Sequence, residues 1–164
     1  AESDPHKTIK INKRSGIKRV ILCSGKVYYD IMAERDARGQ KDTYIMRVEQ
    51  LYPFPGEVMA KELKKFKNLE TVVWCQEEPK NMGSWNFIDH YIEETLDVVG
   101  GKVKRPIYAG RKASASPATG LMERHKKEQV GLVDQALTIE KKEEKNKEKV
   151  IWPSKSTSRY WANQ

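Results

Sequence analysis

The amino-acid sequence predicts an α/β domain built on a mostly parallel sheet. Short apolar runs rich in β-branched residues recur along the chain, and helical patterns lie between them. The runs are apolar almost throughout rather than alternating. Strands covered by helices on both faces have this composition, and strands that alternate with helices indicate βαβ units.

Four apolar runs are the predicted strands: 19–23 (RVILC), 44–48 (YIMRV), 71–75 (TVVWC) and 106–108 (PIY). One arginine, Arg47, interrupts the second run near its end. Because a buried guanidinium is costly without a partner, we expect Arg47 to pair with Glu49, Glu77 or a bound phosphate. A structural Arg–Glu pair and a ligand site explain Arg47 equally well.

Four segments between and after these strands have helical patterns: 27–38, 57–66, 86–99 and 121–139. The clearest is 86–99, where apolar residues recur close to every 3.6 positions. The helices and strands together place one domain at 18–139, preceded by a linker at 1–17 and followed by a charged tail of unknown role at 140–164.

The charge of the chain does not favour nucleic-acid binding. The net charge is +8 over 164 residues, but 1–17 and 140–164 contribute +2 and +3 of it, so the central part is nearly balanced. No apolar stretch is long enough to span a bilayer, and the N-terminus does not resemble a signal peptide. We therefore expect neither a nucleic-acid partner nor a membrane.

Two cysteines, Cys23 and Cys75, end apolar runs without any CxxC spacing, which favours a reducing compartment and two free thiols. The three histidines share no ligand spacing with each other or with the cysteines, so we predict no metal site. No nucleophile motif is present either, and we predict no catalytic residue.

The turn after the first predicted strand is the best candidate for binding an anion. Ser24, Gly25 and Lys26 follow that strand and open a helix, where free backbone N–H groups and the helix dipole favour negative charge. The turn lacks the P-loop pattern. The alternative is a plain strand-to-helix turn, which is common in α/β folds.

The polar stretch 77–85 (EEPKNMGSW) follows the third strand. Glu77 and Glu78 are adjacent, so on an extended chain they point to opposite faces and cannot act as a paired acid and base. Gly83 offers a turn, and Ser84 offers an N-cap for the next helix. We therefore interpret this stretch as a structural joint. The loop 108–120 is rich in small residues, with Arg111 as its anchor.

Four long motifs in order resemble one family: LCSGKVYYD (22–30), RVEQLYPFP (47–55), WCQEEPKNMGSW (74–85) and YAGRKASASPATG (108–120), with His125 and Gln129 after them. The chain resembles the C-terminal domain of 2-oxoglutarate dehydrogenase over residues 18–139. The resemblance implies a three-layer α/β sandwich of the transketolase C-terminal-domain type. Met82 and Lys112 stand where many relatives have glutamine and proline.

The resemblance also implies a function for the whole enzyme, which oxidatively decarboxylates 2-oxoglutarate in the tricarboxylic acid cycle and transfers succinyl to lipoyl groups. Its cofactors are thiamine diphosphate and magnesium, whose GDG signature this chain lacks, so we expect no cofactor here and no activity of the isolated domain. The implied partners are the preceding domains of the subunit, a homodimer partner and the lipoyl succinyltransferase core. The implied compartment is the bacterial cytoplasm or the mitochondrial matrix.

Two sets of site residues follow from the resemblance together with the expectation that an anion binds at the turn after the first strand. The set predicted to form domain contacts is Glu77, Glu78, Lys80 and Asn81. The set predicted to hold an anionic effector, acetyl-CoA or AMP, is Ser24, Gly25, Lys26, Arg47 and Arg111. The alternative is a stand-alone small-molecule or nucleotide-binding module that uses the turn at 24–26. A piece of a larger subunit should expose an apolar patch that an independent module would lack.

Overall fold

The computed structural model describes residues 9–139. Its elements are, in chain order, a short 3-10 turn (Arg14–Gly16), β1 (Arg19–Cys23), α1 (Val27–Ala37), β2 (Thr43–Arg47), α2 (Gly56–Leu63), β3 (Thr71–Pro79), α3 (Trp85–Val99), β4 (Ile107–Arg111) and α4 (Met122–Thr138). Each predicted strand and helix is present, with boundaries that shift by a few residues.

The four strands form one parallel sheet in the order β2-β1-β3-β4. The α/β prediction is confirmed, and the sheet is wholly parallel among the described residues. The chain passes from β1 to β2 on one side and returns to β3 on the other. The point at which the strand order reverses therefore lies between β1 and β3, and ligands of open α/β sheets bind beyond the carboxyl ends of the strands at such a point.

Helices cover both faces of the sheet and make three layers. Successive β1 side chains point to opposite faces, so Val20 and Leu22 pack in one apolar cluster with α2 and α3. Ile21 and Cys23 pack in a second cluster with α1 and α4. Because both faces are buried in this way, the central parts of the strands are almost wholly apolar, as the sequence predicted.

The third and fourth strands are longer than predicted, because β3 continues to Pro79 and β4 to Arg111. Their pairing shifts register between Cys75 and Pro79, where a bulge accommodates the polar residues. Backbone pairing therefore continues past the end of each apolar run, and it places Glu77 and Glu78 on a strand instead of in a loop.

The segment before β1 contacts the domain. Ile17 is buried in the core, Ile11 packs against the same cluster, and the Asn12 N–H donates to the Lys41 carbonyl at 2.8 Å. The division of the chain at residues 17 and 18 stays a prediction, and the predicted tail at 140–164 lies outside the described residues. No helix within 9–139 has the length and apolar character needed to cross a bilayer.

Candidate functional site

The loops after β1 and β2 meet at the carboxyl edge of the sheet around one carboxylate, that of Glu49. The Ser24 hydroxyl donates to it at 3.3 Å and the Gly25 backbone N–H at 3.2 Å. The Arg47 guanidinium completes the cluster, with Nε at 2.8 Å and a terminal nitrogen at 2.7 Å. Three of the predicted effector residues therefore converge on one negatively charged group.

The electrostatics of this cluster favour its charged form. Partial burial opposes ionisation of Glu49, but hydrogen bonds from Arg47, Gly25 and Ser24 hold the pKa of its carboxyl below the ordinary value. The Arg47 guanidinium also lies 5.2 Å from the ring centre of Tyr28 and 5.8 Å from that of Tyr29. The Arg47 side chain is 40% exposed, so the expectation that it is buried is wrong, because it ends the strand and turns toward solvent.

Lys26 extends the same edge toward β3. Its ammonium lies 2.6 Å from the Glu77 carboxylate, and this hydrogen bond raises the pKa of Lys26. Two neighbouring loops thus hold two internal ion pairs, Arg47–Glu49 and Lys26–Glu77. The donors of the anion-binding turn are occupied by carboxylates of the protein itself.

Arg111 makes different contacts from the other four predicted effector residues. It donates to the Pro117 carbonyl at 2.5 Å and lies 3.5 Å from the Glu128 carboxylate. It lines a cleft of about 250 Å³ together with Glu77, so the two residues share a cavity without pairing. The structure thus places Arg111 in a separate cluster.

The stretch after β3 is organised by Gln76, which is only 4% exposed. Its Oε1 accepts hydrogen bonds from the Trp74 indole N–H and the Trp85 backbone N–H, each at 3.0 Å. Its Nε2 donates to the Met82 carbonyl at 2.7 Å and, at 3.3 Å, to the carbonyls of Glu78 and Pro79. One amide thus contacts five backbone or side-chain groups, with its two N–H hydrogens shared among three carbonyls, and fixes the path of the chain.

The prediction at 83–84 is correct for the turn at Gly83 and for the position of Ser84, but not for the capping bond expected from the Ser84 hydroxyl. Gly83 has φ +66°, a left-handed conformation that favours glycine. Ser84 occupies the N-cap position of α3, but its hydroxyl makes no capping hydrogen bond. Gln76 accepts from the first helical N–H in its place.

Some of the residues predicted to form contacts between domains make contacts within this domain instead. Asn81 and Ser114 exchange two hydrogen bonds of 3.0 Å, which join this stretch to the loop after β4. The Lys80 backbone N–H donates to the Arg111 carbonyl, and its ammonium lies 5.8 Å from the centre of the Tyr108 ring. Glu78 has an exposed side chain. Their role in contacts between domains stays a prediction.

Sequence reasoning missed Gln76 and named Glu49 only as one possible partner of Arg47. An amide gives no periodic signal, although Gln76 directly follows a run whose last four residues, 72–75, are all buried. Glu49 lies two residues after Arg47, and this spacing places both side chains at the same edge once the strand ends.

An apolar groove lies in the helical layer formed by α2 and α3, between these two helices. This α2–α3 groove has a volume of about 440 Å³ and is lined by residues 52–60 and 91–98, among them Tyr52, Phe54, Tyr91 and Val98. Phe54 stacks on Tyr91 with ring centres 5.4 Å apart. Tyr52 is 78% exposed and Val98 64% exposed. Large apolar side chains of this layer thus lie open to solvent, as do Leu121, Met122 and Val130 on the other layer.

The two cysteine thiols are buried in the sheet. Cys23 and Cys75 are free and lie opposite each other on β1 and β3. Burial raises the pKa of Cys23 to about 12 and raises that of Cys75 further, so neither thiol is ionised at neutral pH. Within residues 9–139, no three histidine, cysteine, aspartate or glutamate side chains are arranged to hold a metal ion.

Comparison with known proteins assigns the chain to a family. The family model described as 2-oxoglutarate dehydrogenase C-terminal matches residues 2–137. The 2-oxoglutarate dehydrogenase E1 component of Brucella abortus (strain S19) is 53% identical over 137 residues, which are 84% of this chain and 14% of that protein. The same component of Brucella anthropi and of Brucella melitensis biotype 2 is 52% identical over the same lengths.

Among solved structures, a split-gene transketolase described as an inactive beta4 tetramer has a TM-score of 0.47 and 16% sequence identity. The match covers 79% of this chain and 43% of that one. This likeness is weak, and the fold assignment rests on the parallel sheet and its two helical layers. The family match and the identity to the E1 components are strong, and they show that this chain belongs to the 2-oxoglutarate dehydrogenase C-terminal family.

Proposed function

We propose that this chain is the C-terminal domain of a 2-oxoglutarate dehydrogenase E1 subunit and that it braces the subunit instead of performing its chemistry. The chain spans 14% of the length of the relatives that it matches. The whole subunit would oxidatively decarboxylate 2-oxoglutarate and pass succinyl to lipoyl groups of the succinyltransferase core, in a bacterial cytoplasm or a mitochondrial matrix.

The described residues do not fit the cofactors of that reaction. Thiamine diphosphate is held through a magnesium ion, which prefers several oxygen ligands. The carboxylates at the carboxyl edge are engaged by Arg47 and Lys26, and no metal-binding group is present within 9–139. We therefore assign both cofactors to other domains of the subunit.

The single observation that carries the bracing role is the exposed apolar surface of α2 and α3. Tyr52, Val58 and Val98 are each more than three-fifths exposed, and the α2–α3 groove runs beside them. An independent module of this size would not leave such a face open, because large exposed apolar patches mark interaction sites. The occupant that we propose is a preceding domain of the same subunit.

This proposal can be tested with two valines of similar exposure on opposite layers. In the whole E1 subunit, Val98→Lys should lower the temperature of thermal unfolding and expose the domain to proteolysis, because it places a charge in the proposed contact. The matched control is Val130→Lys on α4, which is 70% exposed and lies on the other layer. Equal tolerance of both substitutions would refute the contact.

A second candidate function is the binding of an anionic effector at the edge turn, defined as Ser24, Gly25, Lys26 and Arg47. The observation that favours it is the Glu49 carboxylate, which occupies a position that an effector phosphate could take. Donors that converge on one carboxylate are geometrically suited to another oxyanion. Acetyl-CoA and AMP are the ligands that we propose, and Glu49 would be their internal competitor.

Calorimetric titration of the chain with acetyl-CoA and AMP tests this second function. Glu49→Gln should tighten binding, because the competing charge is removed while the fold is kept. Arg47→Ala and Lys26→Ala should weaken it. Arg38→Ala is the control, since Arg38 also pairs with carboxylates but lies at the end of α1. An affinity that is unchanged in Glu49→Gln and Arg47→Ala would exclude the edge turn as the site.

A further inference from the structure

A second polar cavity lies at the other end of the carboxyl edge. It has a volume of about 580 Å³ and is enclosed by the loop after β4 and the first turns of α4. We call it the β4–α4 pocket, and its lining falls within residues 110–120 and 124–135, with Pro79 at one side. None of Ser24, Gly25, Lys26 or Arg47 lines it.

The β4–α4 pocket carries an excess of positive charge. Arg111, Lys112 and Arg124 line it, and Glu128 is the only carboxylate in its lining. Both arginines share that carboxylate, with Arg124 Nε at 2.8 Å and an Arg111 terminal nitrogen at 3.5 Å. One negative charge thus serves two guanidinium groups, while Lys112 has no carboxylate near it in the described part of the chain.

Two buried polar atoms in the pocket lack a partner among residues 9–139. They are Nε of Arg111 and the hydroxyl oxygen of Thr119. Nearly all buried polar atoms in folded proteins have a hydrogen-bond partner, and a buried donor without one costs free energy. Both atoms lie beneath the surface of residues that line the pocket, so Arg111 and Thr119 each keep hydrogen-bonding capacity that no residue within 9–139 uses.

The rest of the lining mixes apolar and small residues with the polar side chains of Ser114, Ser116 and Gln135. Ala113, Ala118, Gly131 and Leu132 form much of the wall, and the volume is far larger than one phosphate ion needs. An inorganic anion alone would leave this wall uncovered. The chemistry suits a molecule with an anionic group at one end and an apolar body at the other.

We propose that the β4–α4 pocket binds a small organic anion, with its phosphate or carboxylate between Arg111, Arg124 and Thr119 and its apolar body against Leu132. This site is separate from the edge turn and does not depend on the proposed bracing or effector roles. All its lining residues belong to this chain.

Two-dimensional NMR of the isotope-labelled chain can locate such binding, with phenyl phosphate and benzoate as probes. Glycine amides serve as reporters: Gly110, Gly120 and Gly131 line the pocket, and Gly25 reports on the edge turn. We expect saturable shifts at the pocket glycines that phenol does not cause. The probe with the higher affinity shows whether the pocket prefers a phosphate or a carboxylate.

Substitutions then test the assigned residues. Arg124→Gln should weaken the affinity for phenyl phosphate about tenfold, as expected for the loss of one charged hydrogen bond. Arg124 is mostly exposed and pairs with Glu128 alone among the described residues, so this variant should fold. Arg111→Gln should weaken binding as much, and Lys104→Gln, at an exposed lysine outside the pocket and outside the edge turn, should leave it unchanged.

Three results would overturn the proposal. The first is the absence of saturable shifts at Gly110, Gly120 and Gly131 at millimolar phenyl phosphate. The second is a set of shifts confined to Gly25, which would place the anion at the edge turn. The third is equal affinity of the wild type and Arg124→Gln, which would mean that the probe binds without the guanidinium pair.

Discussion

Gln76 and Glu49 gather hydrogen bonds at the same edge of the same sheet but in opposite surroundings. Gln76 is neutral and 4% exposed, and it joins β3 to the start of α3. Glu49 is charged and 50% exposed, and it joins the edge turn to the end of β2. If Gln76 is lost, buried groups remain without partners, whereas water can replace Glu49. The difference indicates that the joint contributes more to the stability of the fold than the edge turn does.

Gln76→Ala should have the largest effect on stability. The Trp74 indole N–H and the Trp85 N–H lose their acceptor, and the Met82 carbonyl loses its donor. Each buried group without a partner costs roughly 1–3 kcal/mol, so we expect a loss of about 3 kcal/mol or more. Chemical denaturation followed by tryptophan fluorescence measures this loss.

Gln50→Ala is the control for that substitution. Gln50 is exposed and donates one hydrogen bond, of 2.7 Å, to the Pro53 carbonyl. Its loss should cost under about 1 kcal/mol, because water replaces the lost bond. Similar losses in the two variants would mean that the buried joint is no more important to the fold than a surface turn.

Gly83→Ala should have the next largest effect, and it separates backbone strain from crowding. An added Cβ would lie 2.9 Å from Gln76 Nε2 and 2.9 Å from the Glu78 Cβ. Gly39 has a similar φ of +64° but has no atom within 4 Å of its added Cβ. We expect a loss of about 1 kcal/mol for Gly39→Ala from strain alone and about 2–3 kcal/mol for Gly83→Ala.

Thermal unfolding of both variants by circular dichroism gives the comparison. Equal losses would show that the loop can move away from Gln76, so that the joint is less rigid than its hydrogen bonds indicate. A larger loss at Gly83 would show that Gln76 fixes the turn in place.

The sequence predicts the fold well because the fold depends on apolar pattern. Buried parallel strands need continuous apolar runs, and RVILC and TVVWC provide them. The ends of β3 and β4 could not be predicted, because they depend on the pairings of Cys75 with Ala109 and of Pro79 with Arg111, and backbone pairing carries no compositional signal. Strand pairing at a bulge depends on the neighbouring strand rather than on the local sequence.

The candidate site was predictable only in part. The turn at Ser24, Gly25 and Lys26 could be placed, because residues after a parallel strand must lie at its carboxyl edge. The partner of Arg47 could not be predicted, because the sequence offers Glu49 and Glu77 equally. The separation of Arg111 from this cluster depends on the strand order, which places β4 at the far edge of the sheet.

Glu49→Gln should have a smaller effect on stability than either joint substitution, and the effect should depend on pH. The pKa of Glu49 lies below its ordinary value in the folded protein, so its contribution is present above that ordinary value and is lost as pH falls through the folded pKa. We expect a difference under about 1 kcal/mol at pH 7, because the pair is exposed and screened. The difference should shrink as pH falls below about 4.3.

Denaturation of wild type and Glu49→Gln at several pH values measures this trend. A difference that is constant across the acid range would mean that the Glu49 charge does not stabilise the edge turn. A loss of stability in Glu49→Gln as large as that in Gln76→Ala would mean that the hydrogen bonds around Glu49 and those around Gln76 stabilise the fold equally.

Lys26→Ala should have the smallest effect. The Lys26–Glu77 pair is short, at 2.6 Å, but the lysine is mostly exposed, and such pairs contribute about 0.2–1 kcal/mol. A double-mutant cycle with Glu77→Ala isolates the coupling, and added salt should reduce it. Lys104 and Asp97, which lie 3.5 Å apart and are both exposed, provide a reference pair with weaker coupling. A salt-insensitive coupling well above 1 kcal/mol would mean that Lys26 is fixed to the protein and is not available to an incoming anion.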